Sequence, residues 1–309
     1  MTDSPRINEL IERLGEGDNP SHDGKVAGQL IEIGREATLH LIKALHHINP
    51  KVRSGAALIL GTIADERVVE PLIAALNDID SWTRMWAVIS LGHLGDRRAI
   101  APLLELLPEN KAYSVAEALA RFGDEEFIEP IIASLYLDAE KIMQQNNEDE
   151  EDEMYKNSRR ADFFSRPHIR ALTTFNDTRV IPPLIEALSS EDTKVFDPAF
   201  RHLKEIGADA VQPLLNAYHQ QDADRSRIVW ILGEIGDLRA FDLIVEALYD
   251  DDEAVQHDAI VALSDLKDSR AVPPLLEYLS HISPEDTWAI TTTQKVLAEL
   301  GYKDQDHNR

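Results

Sequence analysis

The sequence predicts an all-α protein, an α-α superhelix of about eight helix pairs with one further helix at the C-terminus. Two observations lead to this prediction. A short motif of proline followed by aliphatic residues recurs at intervals near 30 residues, and a fixed period of this size is typical of repeat arrays. Hydrophobic residues make up 43% of the chain but aromatic residues only 6%, a composition that suits helices packed by small aliphatic side chains.

The motif Pro-Leu-Leu/Ile-x-x-Leu, or a close variant, marks each repeat. Its first residue serves as an anchor, and the eight anchors are His40, Pro71, Pro102, Pro130, Pro183, Pro213, Leu243 and Pro274. Successive anchors lie 31, 31, 28, 53, 30, 30 and 31 residues apart. Six of these intervals agree within three residues. The chain therefore holds eight repeats, and the long interval contains an insertion.

Three further columns keep the same register. Six residues before the anchor, six of the eight repeats carry an aspartate: Asp65, Asp96, Asp124, Asp177, Asp237 and Asp268. An arginine follows two residues later in five repeats, and a leucine lies eleven residues before the anchor in six. Aspartate is a preferred helix N-cap because its carboxylate accepts hydrogen bonds from first-turn amides. Each repeat is therefore predicted to be a helix A, a turn at Asp, and a helix B with proline in its first turn. The Asp-x-Arg pairs are predicted to form a capping and inter-repeat ladder.

The pattern GDRRAIAPLLELL at residues 95–107 resembles the HEAT-like repeats first described in phycobilisome bilin lyases. The resemblance covers the chain roughly from Lys25 to Leu300. It implies a right-handed superhelix, a HEAT-like repeat solenoid, in which helix pairs stack and helix B lines the concave side. The same repeat occurs in lyases, hydroxylases, relatives of DNA glycosylases and many scaffolds, so the resemblance predicts the fold rather than the function.

The long interval between Pro130 and Pro183 divides the array. Residues 144–160 read QQNNEDEEDEMYKNSRR, with six consecutive acids from Glu148 to Glu153. A run of like charge repels itself and stays solvated, so this segment is predicted to be a flexible acidic insertion. The predicted organisation is repeats 1–4 in residues 1–143, the insertion in 144–160, and repeats 5–8 in 161–309. These segments form one continuous solenoid, closed by a capping helix within residues 284–300.

The composition narrows the classes of function. The chain carries 31 Lys and Arg against 56 Asp and Glu, a formal net charge of −25. A surface this acidic repels nucleic-acid phosphates and favours basic partners or a salty environment. The chain has no cysteine, which excludes disulfides and thiolate metal ligands. No apolar run approaches the ~20 residues of a membrane span, and the N-terminus carries acids rather than an apolar signal segment. We therefore expect a cytoplasmic protein that neither binds nucleic acid nor spans a membrane.

Two enzyme families with similar repeats provide alternatives. The di-iron deoxyhypusine hydroxylases carry His-Glu ligand pairs on helix A, which in this register would fall 17 and 16 residues before the anchors. His257-Asp258 alone resembles such a pair. One pair cannot hold two irons, so no metal site and no cofactor are expected. A bilin lyase subunit, or a chaperone-like factor for phycobiliproteins, stays open as the enzymatic alternative.

A third interpretation is a non-catalytic scaffold that binds a protein partner. It needs no residue that the sequence lacks. The position three residues after the anchor lies on helix B off the apolar stripe, and four repeats carry glutamate there: Glu105, Glu186, Glu246 and Glu277. On the concave side that the resemblance implies, these side chains would form an acidic wall for a basic partner, although glutamate is also an ordinary exposed helix former. Trp82 begins its helix A and is predicted to be exposed and to anchor a partner. Trp86 and Trp230 are predicted to fill gaps between stacked repeats, and no catalytic residue is expected.

Overall fold

A computed structural model describes residues 4–16, 24–109, 114–148, 164–220 and 223–302. These residues form α-helices and short 3-10 turns, with no β-strand among them, which confirms the predicted all-α repeat fold. None of the described helices is both long and apolar enough to cross a membrane. The chain divides into two compact units: unit 1 comprises Met1–Lys141 with Arg170–Phe175, and unit 2 comprises Ile142–Ile169 with Asn176–Arg309.

Unit 1 contains an N-terminal helix followed by consecutive helix pairs. Its helices are α1 (Ser4–Arg13), α2 (Gly24–Ile33), α3 (Thr38–Ala44), α4 (Pro50–Ile63), α5 (Val69–Ala75), α6 (Ser81–Leu94), α7 (Ile100–Leu106), α8 (Val115–Ala120) and α9 (Ile128–Glu148). The end of α9 belongs to unit 2, and α10 (Arg166–Leu172) is likewise divided between the units. The even-numbered helices from α2 to α8 are helix A of their repeats, and their successors are helix B.

Unit 2 continues the same alternation. Its helices are α11 (Ile181–Ala187), α12 (Thr193–Ile206), α13 (Ala208–Tyr218), α14 (Arg225–Ile235), α15 (Phe241–Ala247), α16 (Glu253–Leu266), α17 (Val272–His281) and α18 (Thr287–Glu299). The odd-numbered helices are helix B. The last helix, α18, is the predicted C-terminal helix, and it packs on α16 and α17.

The aspartate column begins helix B as predicted. In five repeats the Asp carboxylate accepts a hydrogen bond of 2.8–3.1 Å from the amide two residues further on, and the arginine at that position binds the same carboxylate through its guanidinium. Asp124 is followed by Glu126 instead of arginine. Its side chain makes no capping bond and pairs with Arg97 at 2.9 Å. The Asp-x-Arg sequence therefore fixes the A–B turn.

These pairs also change the titration of the aspartates. Hydrogen bonds from the arginine side chain, and then from the backbone amide, hold the pKa of Asp96, Asp177 and Asp237 at about 2, against an ordinary 3.8. Arg239 additionally donates to the carbonyl oxygen of Ala208 in the preceding repeat at 2.6 Å. The ladder predicted from the columns thus both caps a helix and joins neighbouring repeats.

Two aliphatic columns form the core. The leucine eleven residues before the anchor is fully buried wherever it occurs: Leu60, Leu91, Leu119, Leu172, Leu232 and Leu263. The residue after each anchor on helix B is also fully buried: Leu41, Leu72, Leu103, Ile131, Leu184, Leu214, Ile244 and Leu275. Burial of such a side chain stabilises a fold by about 1.5–3 kcal/mol. The two columns therefore provide one repeated core on which each stacked pair depends.

Neighbouring A helices approach closely at a glycine in both units. A Cβ added to Gly92 of α6 would lie 2.8 Å from Cα of Ala118 on α8, and one added to Gly233 of α14 would lie 2.7 Å from Cα of Ala262 on α16. Side chains do not approach a backbone atom so closely, so these contacts require glycine.

One helix was not predicted from the sequence, and one predicted segment lies mostly outside the described residues. Helix α1 precedes the predicted repeats and buries Ile7, Leu10 and Ile11, which are spaced as on one helical face. Of the acidic run Glu148–Glu153, Glu148 ends α9, and the other five residues lie outside the described part of the chain. The flexible insertion at 144–160 therefore stays a prediction.

Candidate partner-binding surface

The predicted glutamates are concentrated in unit 2. Its helix-B column three residues after the anchor holds Glu186 on α11, Asn216 on α13, Glu246 on α15 and Glu277 on α17. Glu246 and Glu277 are exposed, and Glu186 is half-buried. Because equivalent positions of stacked repeats face the same way, these side chains share one face of unit 2. We call Glu186, Glu246 and Glu277 the acidic column of unit 2.

The same column of unit 1 is not acidic. It holds Lys43 on α3, Ala74 on α5, Glu105 on α7 and Ala133 on α9. Glu105 is exposed as predicted, but its column contains one cation and two alanines beside it. The sequence placed all four glutamates in one register, and the structure places three of them in unit 2.

A pocket of about 490 Å³ adjoins the acidic column of unit 2. It lies where α13 ends, α14 begins and α15 ends. Seven of the eight residues that line it carry polar or aromatic side chains: Tyr218, His219, Gln220, Arg225, Glu246, Tyr249 and Asp250. Glu246 belongs to both the column and the pocket, so the two form a single surface.

One wall of the pocket is a hydrogen-bonded network around Asp250. The Tyr218 hydroxyl donates to Oδ2 of Asp250 at 2.8 Å, and the Arg225 guanidinium lies 3.1 Å from Oδ1 of Asp250 and 2.8 Å from Asp251. Burial, and then the hydrogen bond to Asp250, raise the pKa of Tyr218, which therefore keeps its proton and stays a donor. This wall joins two successive repeats in a fixed arrangement.

The second feature of the pocket is the exposed aromatic ring of Tyr249. Tyr249 is 51% exposed, and its ring meets Tyr278 edge-on with centroids 6.3 Å apart. Tyr278 is buried, and its hydroxyl donates to Oε1 of Gln256 at 3.0 Å. Burial, and then the charge of Glu277, raise the pKa of Tyr249. Glu277 directly precedes Tyr278, the residue whose ring meets that of Tyr249. The Tyr249 ring thus lines the pocket together with Glu246 and packs on Tyr278, the neighbour of Glu277 in the sequence.

The two glutamates beside Tyr249 are available to a partner. Within the described part of the chain, the carboxylates of Glu246 and Glu277 have no hydrogen-bond or ion-pair partner. Asp250, by contrast, is paired with Tyr218 and Arg225. Sequence reasoning found the glutamates but missed both tyrosines. Tyr218 replaces the last leucine of the anchor motif, and Tyr249 lies just after that motif in the next repeat. The signal that could have indicated them is the run YDDDE at 249–253, in which a tyrosine borders consecutive acids.

Unit 1 carries a different surface around Trp82. Trp82 is 54% exposed, which confirms its predicted exposure, and Ile48 and Ile79 in the loops between repeats are more than 90% exposed. The guanidinium of Arg53 binds the carbonyl oxygen of Ile48 and both carboxylate oxygens of Asp78, so adjacent loops are joined. Trp82 lies in unit 1, whereas most of the glutamates lie in unit 2.

The other two tryptophans, Trp86 and Trp230, differ in how far they are exposed. Trp86 is half-buried, as a residue between repeats would be. Trp230 packs on Phe200 of the preceding A helix with ring centroids 4.5 Å apart, but it is still 40% exposed. Trp230 thus packs between stacked repeats, as predicted, and leaves part of its ring exposed.

The pair that resembles metal ligands is engaged elsewhere. His257 Nε2 lies 2.9 Å from Oδ2 of Asp286, and its ring packs on Trp288 with centroids 4.3 Å apart. Asp258 accepts a hydrogen bond from Ser226. Among the residues that the structure describes, no group of three or more His, Asp or Glu side chains is arranged to hold a metal ion.

Comparison with known proteins identifies the repeat. A family model of HEAT repeats matches residues 38–120 and 211–292, together more than half of the chain. A search of curated proteins gave no significant match. Among solved structures, Kap121p is 15% identical with a TM-score of 0.59, and the alignment covers 95% of this chain and 37% of Kap121p. A score above one half at this identity supports the fold alone.

Two enzyme structures are matched over more of their own length than Kap121p is, but with lower TM-scores. The complex of CpcE and CpcF of phycocyanin lyase from Nostoc sp. PCC7120 is 22% identical, covers 85% of this chain and 94% of that chain, and has a TM-score of 0.42. Human deoxyhypusine hydroxylase is 16% identical, with coverages of 97% and 99% and a TM-score of 0.33.

Proposed function

This chain belongs to the HEAT-repeat family, and from that premise we propose that it is a non-catalytic scaffold that binds a basic segment of a partner protein. The proposed contact surface is the acidic column of unit 2 together with its adjoining pocket. Glu105 in unit 1 is proposed as a weaker contact of the same kind.

One observation carries the proposal. Glu246 and Glu277 are exposed carboxylates without an ion-pair partner in the described part of the chain. The exposed ring of Tyr249 lines the same pocket as Glu246 and packs on Tyr278, which follows Glu277. Unpaired carboxylates on the same face attract cations, and an exposed aromatic ring in the adjoining pocket gives a partner side chain a surface on which to pack. A basic segment satisfies both.

Two further facts support the proposal. The net charge of −25 extends the attraction beyond the contact surface, which raises the rate at which a basic partner arrives. Kap121p, which has a similar fold, has been solved with the extreme C-terminus of the protein phosphatase Cdc14p bound to it. A stack of helix pairs can thus hold a terminal segment of another protein.

The test reverses the charge of the two unpaired acids in the full-length chain. The probe is a rhodamine-labelled peptide of alternating lysine and arginine, and its affinity is measured by fluorescence anisotropy at low and at physiological salt. The double variant E246K/E277K is expected to bind at least tenfold more weakly than the wild type. The wild-type affinity is expected to fall as salt rises, because the attraction is screened over about 8 Å at 0.15 M salt.

Matched charge-reversal variants distinguish binding at this surface from attraction by the net charge alone. The control D197K/D265K changes the same number of exposed acids, on α12 and α16 of unit 2, and is expected to weaken binding less than threefold. E105K is expected to change the affinity less than twofold. Equal losses in E246K/E277K and D197K/D265K would contradict the proposal, because net charge alone would then explain the binding.

A further inference from the structure

The pocket beside the acidic column has a size that suits a single side chain with its backbone. Its volume of about 490 Å³ falls within the ~300–1,000 Å³ typical of binding pockets in proteins. A helix that served only to present exposed glutamates would need no such cavity. The lining therefore indicates which kind of side chain the pocket accepts.

The free groups of the pocket favour a cation. Tyr249 offers a ring that is 51% exposed, and Glu246 offers a carboxylate with no ion-pair partner among the described residues. Glu277, which directly precedes the Tyr278 that packs on this ring, adds a second negative charge on the same face. A cation over a tyrosine ring is attracted by the negative face of the π system, and a nearby carboxylate adds a charge-assisted hydrogen bond.

The pocket has a cation of its own, but two carboxylates neutralise it. Arg225 lies 3.1 Å from Asp250 and 2.8 Å from Asp251, and Asp250 also accepts from Tyr218. The three charged groups carry a net charge of −1, and Glu246 and Glu277 bring the surroundings of the ring to −3. Arg225 therefore orders the wall of the pocket and does not repel an incoming cation.

The shape of the free groups distinguishes between the two basic side chains. A guanidinium is planar, stacks on an aromatic face and donates two parallel hydrogen bonds to one carboxylate. An ammonium is a compact point charge with a tightly held hydration shell. A flat ring beside a free carboxylate matches the first geometry better than the second.

We infer that the pocket formed by Tyr249, Glu246 and the Asp250 wall binds an arginine side chain of the partner segment and prefers arginine to lysine. This inference rests on the proposed function and names the residue that the acidic column of unit 2 recognises. Tyr249 stacks on the guanidinium, Glu246 accepts its hydrogen bonds, and Tyr218 with Arg225 holds the wall in position.

The experiment compares two peptides of equal charge on the full-length chain. The probes are rhodamine-labelled octapeptides of alternating glycine with arginine, and of alternating glycine with lysine. The wild type is expected to bind the arginine peptide about two- to fivefold more tightly, because only a guanidinium can both stack flat on the ring and donate two parallel hydrogen bonds to Glu246. Y249A is expected to bind both peptides equally. Y249F keeps the ring and is expected to keep the preference.

A tyrosine outside the pocket provides the control. Tyr302 is 37% exposed and lies after α18, and Y302A is expected to retain the wild-type preference. Equal affinity of the wild type for both peptides, or a preference that survives in Y249A, would overturn the arginine pocket and leave the scaffold proposal standing. Failure of both peptides to bind the wild type would overturn the proposed function and the pocket together.

Discussion

The two units share one buried architecture and differ in the surfaces that they expose. The leucine column is fully buried in both, and close contacts at Gly92 and Gly233 bring their A helices together in the same way. The exposed columns diverge. Three residues after the anchor, unit 1 carries Lys43, Ala74, Glu105 and Ala133, whereas unit 2 carries Glu186, Asn216, Glu246 and Glu277.

The difference separates residues that make the repeat from residues that give it a partner. A column that every repeat keeps is explained by stacking and indicates no site. A column that changes between the units is not needed for stacking. The position three residues after the anchor on helix B is such a column, with Ala74 in unit 1 and Glu246 in unit 2. The candidate binding surface therefore lies where unit 2 departs from unit 1.

The variants with the largest expected effect on stability test whether the A helices pack in the same way in both units. G92A in unit 1 and G233A in unit 2 each place a methyl group less than 3 Å from a backbone Cα of the next A helix. Overpacking of this kind costs about 1–3 kcal/mol. Urea unfolding is expected to show a comparable loss of stability for both variants.

A glycine with free space around it provides the matched control. A Cβ at Gly28 of α2 would meet nothing within 4 Å. G28A is therefore expected to raise stability by about 0.5–1 kcal/mol, because alanine is the better helix former. If G92A is tolerated while G233A is not, the A helices pack differently in the two units and the comparison fails.

A smaller effect concerns the Asp-x-Arg ladder, which also recurs in both units. The pKa of Asp96 and of Asp237 is about 2 in the folded chain, below the ordinary 3.8. A depressed folded-state pKa contributes stability that is present above about pH 4 and is lost as the pH falls toward about 2. The melting temperature of the wild type is expected to decline through that window.

Asparagine variants isolate the charge from the cap. D96N and D237N keep an acceptor that can cap the helix but lose the charge that the arginine binds. Each is expected to melt below the wild type at pH 7 and to show a shallower decline between about pH 4 and pH 2. An unchanged decline in both variants would mean that other carboxylates cause the acid sensitivity.

The fold could be predicted almost completely because its determinants recur. Asp65 and Leu60 occupy columns that repeat along the chain, and their roles as cap and core follow from that recurrence. Helix α1 escaped prediction because it has no anchor motif, although Ile7, Leu10 and Ile11 have helical spacing. Asp124 lies in the predicted column but makes no capping bond, since Glu126 stands where the other five repeats of the aspartate column have arginine.

The candidate site could be predicted only in part, because it depends on contacts between repeats. Register alone placed Glu246 and Glu277 on one face. The pocket forms where Tyr218 meets Asp250, two residues 32 positions apart, and nothing in the repeat pattern marks that contact. Trp230 shows the same difficulty, because its exposure depends on how Phe200 of the neighbouring helix packs against it.

The most direct test of the central claim is zero-length cross-linking of a basic peptide to the full-length chain. A carbodiimide joins a lysine amine to a carboxylate without a spacer, so it links groups that approach each other closely, and mass spectrometry then identifies the carboxylate. With a glycine-lysine octapeptide at low salt, we expect Glu246 and Glu277 to carry most of the cross-links, and Glu105 few. Cross-links distributed evenly over the exposed acids of both units, or concentrated at Glu105, would contradict the account.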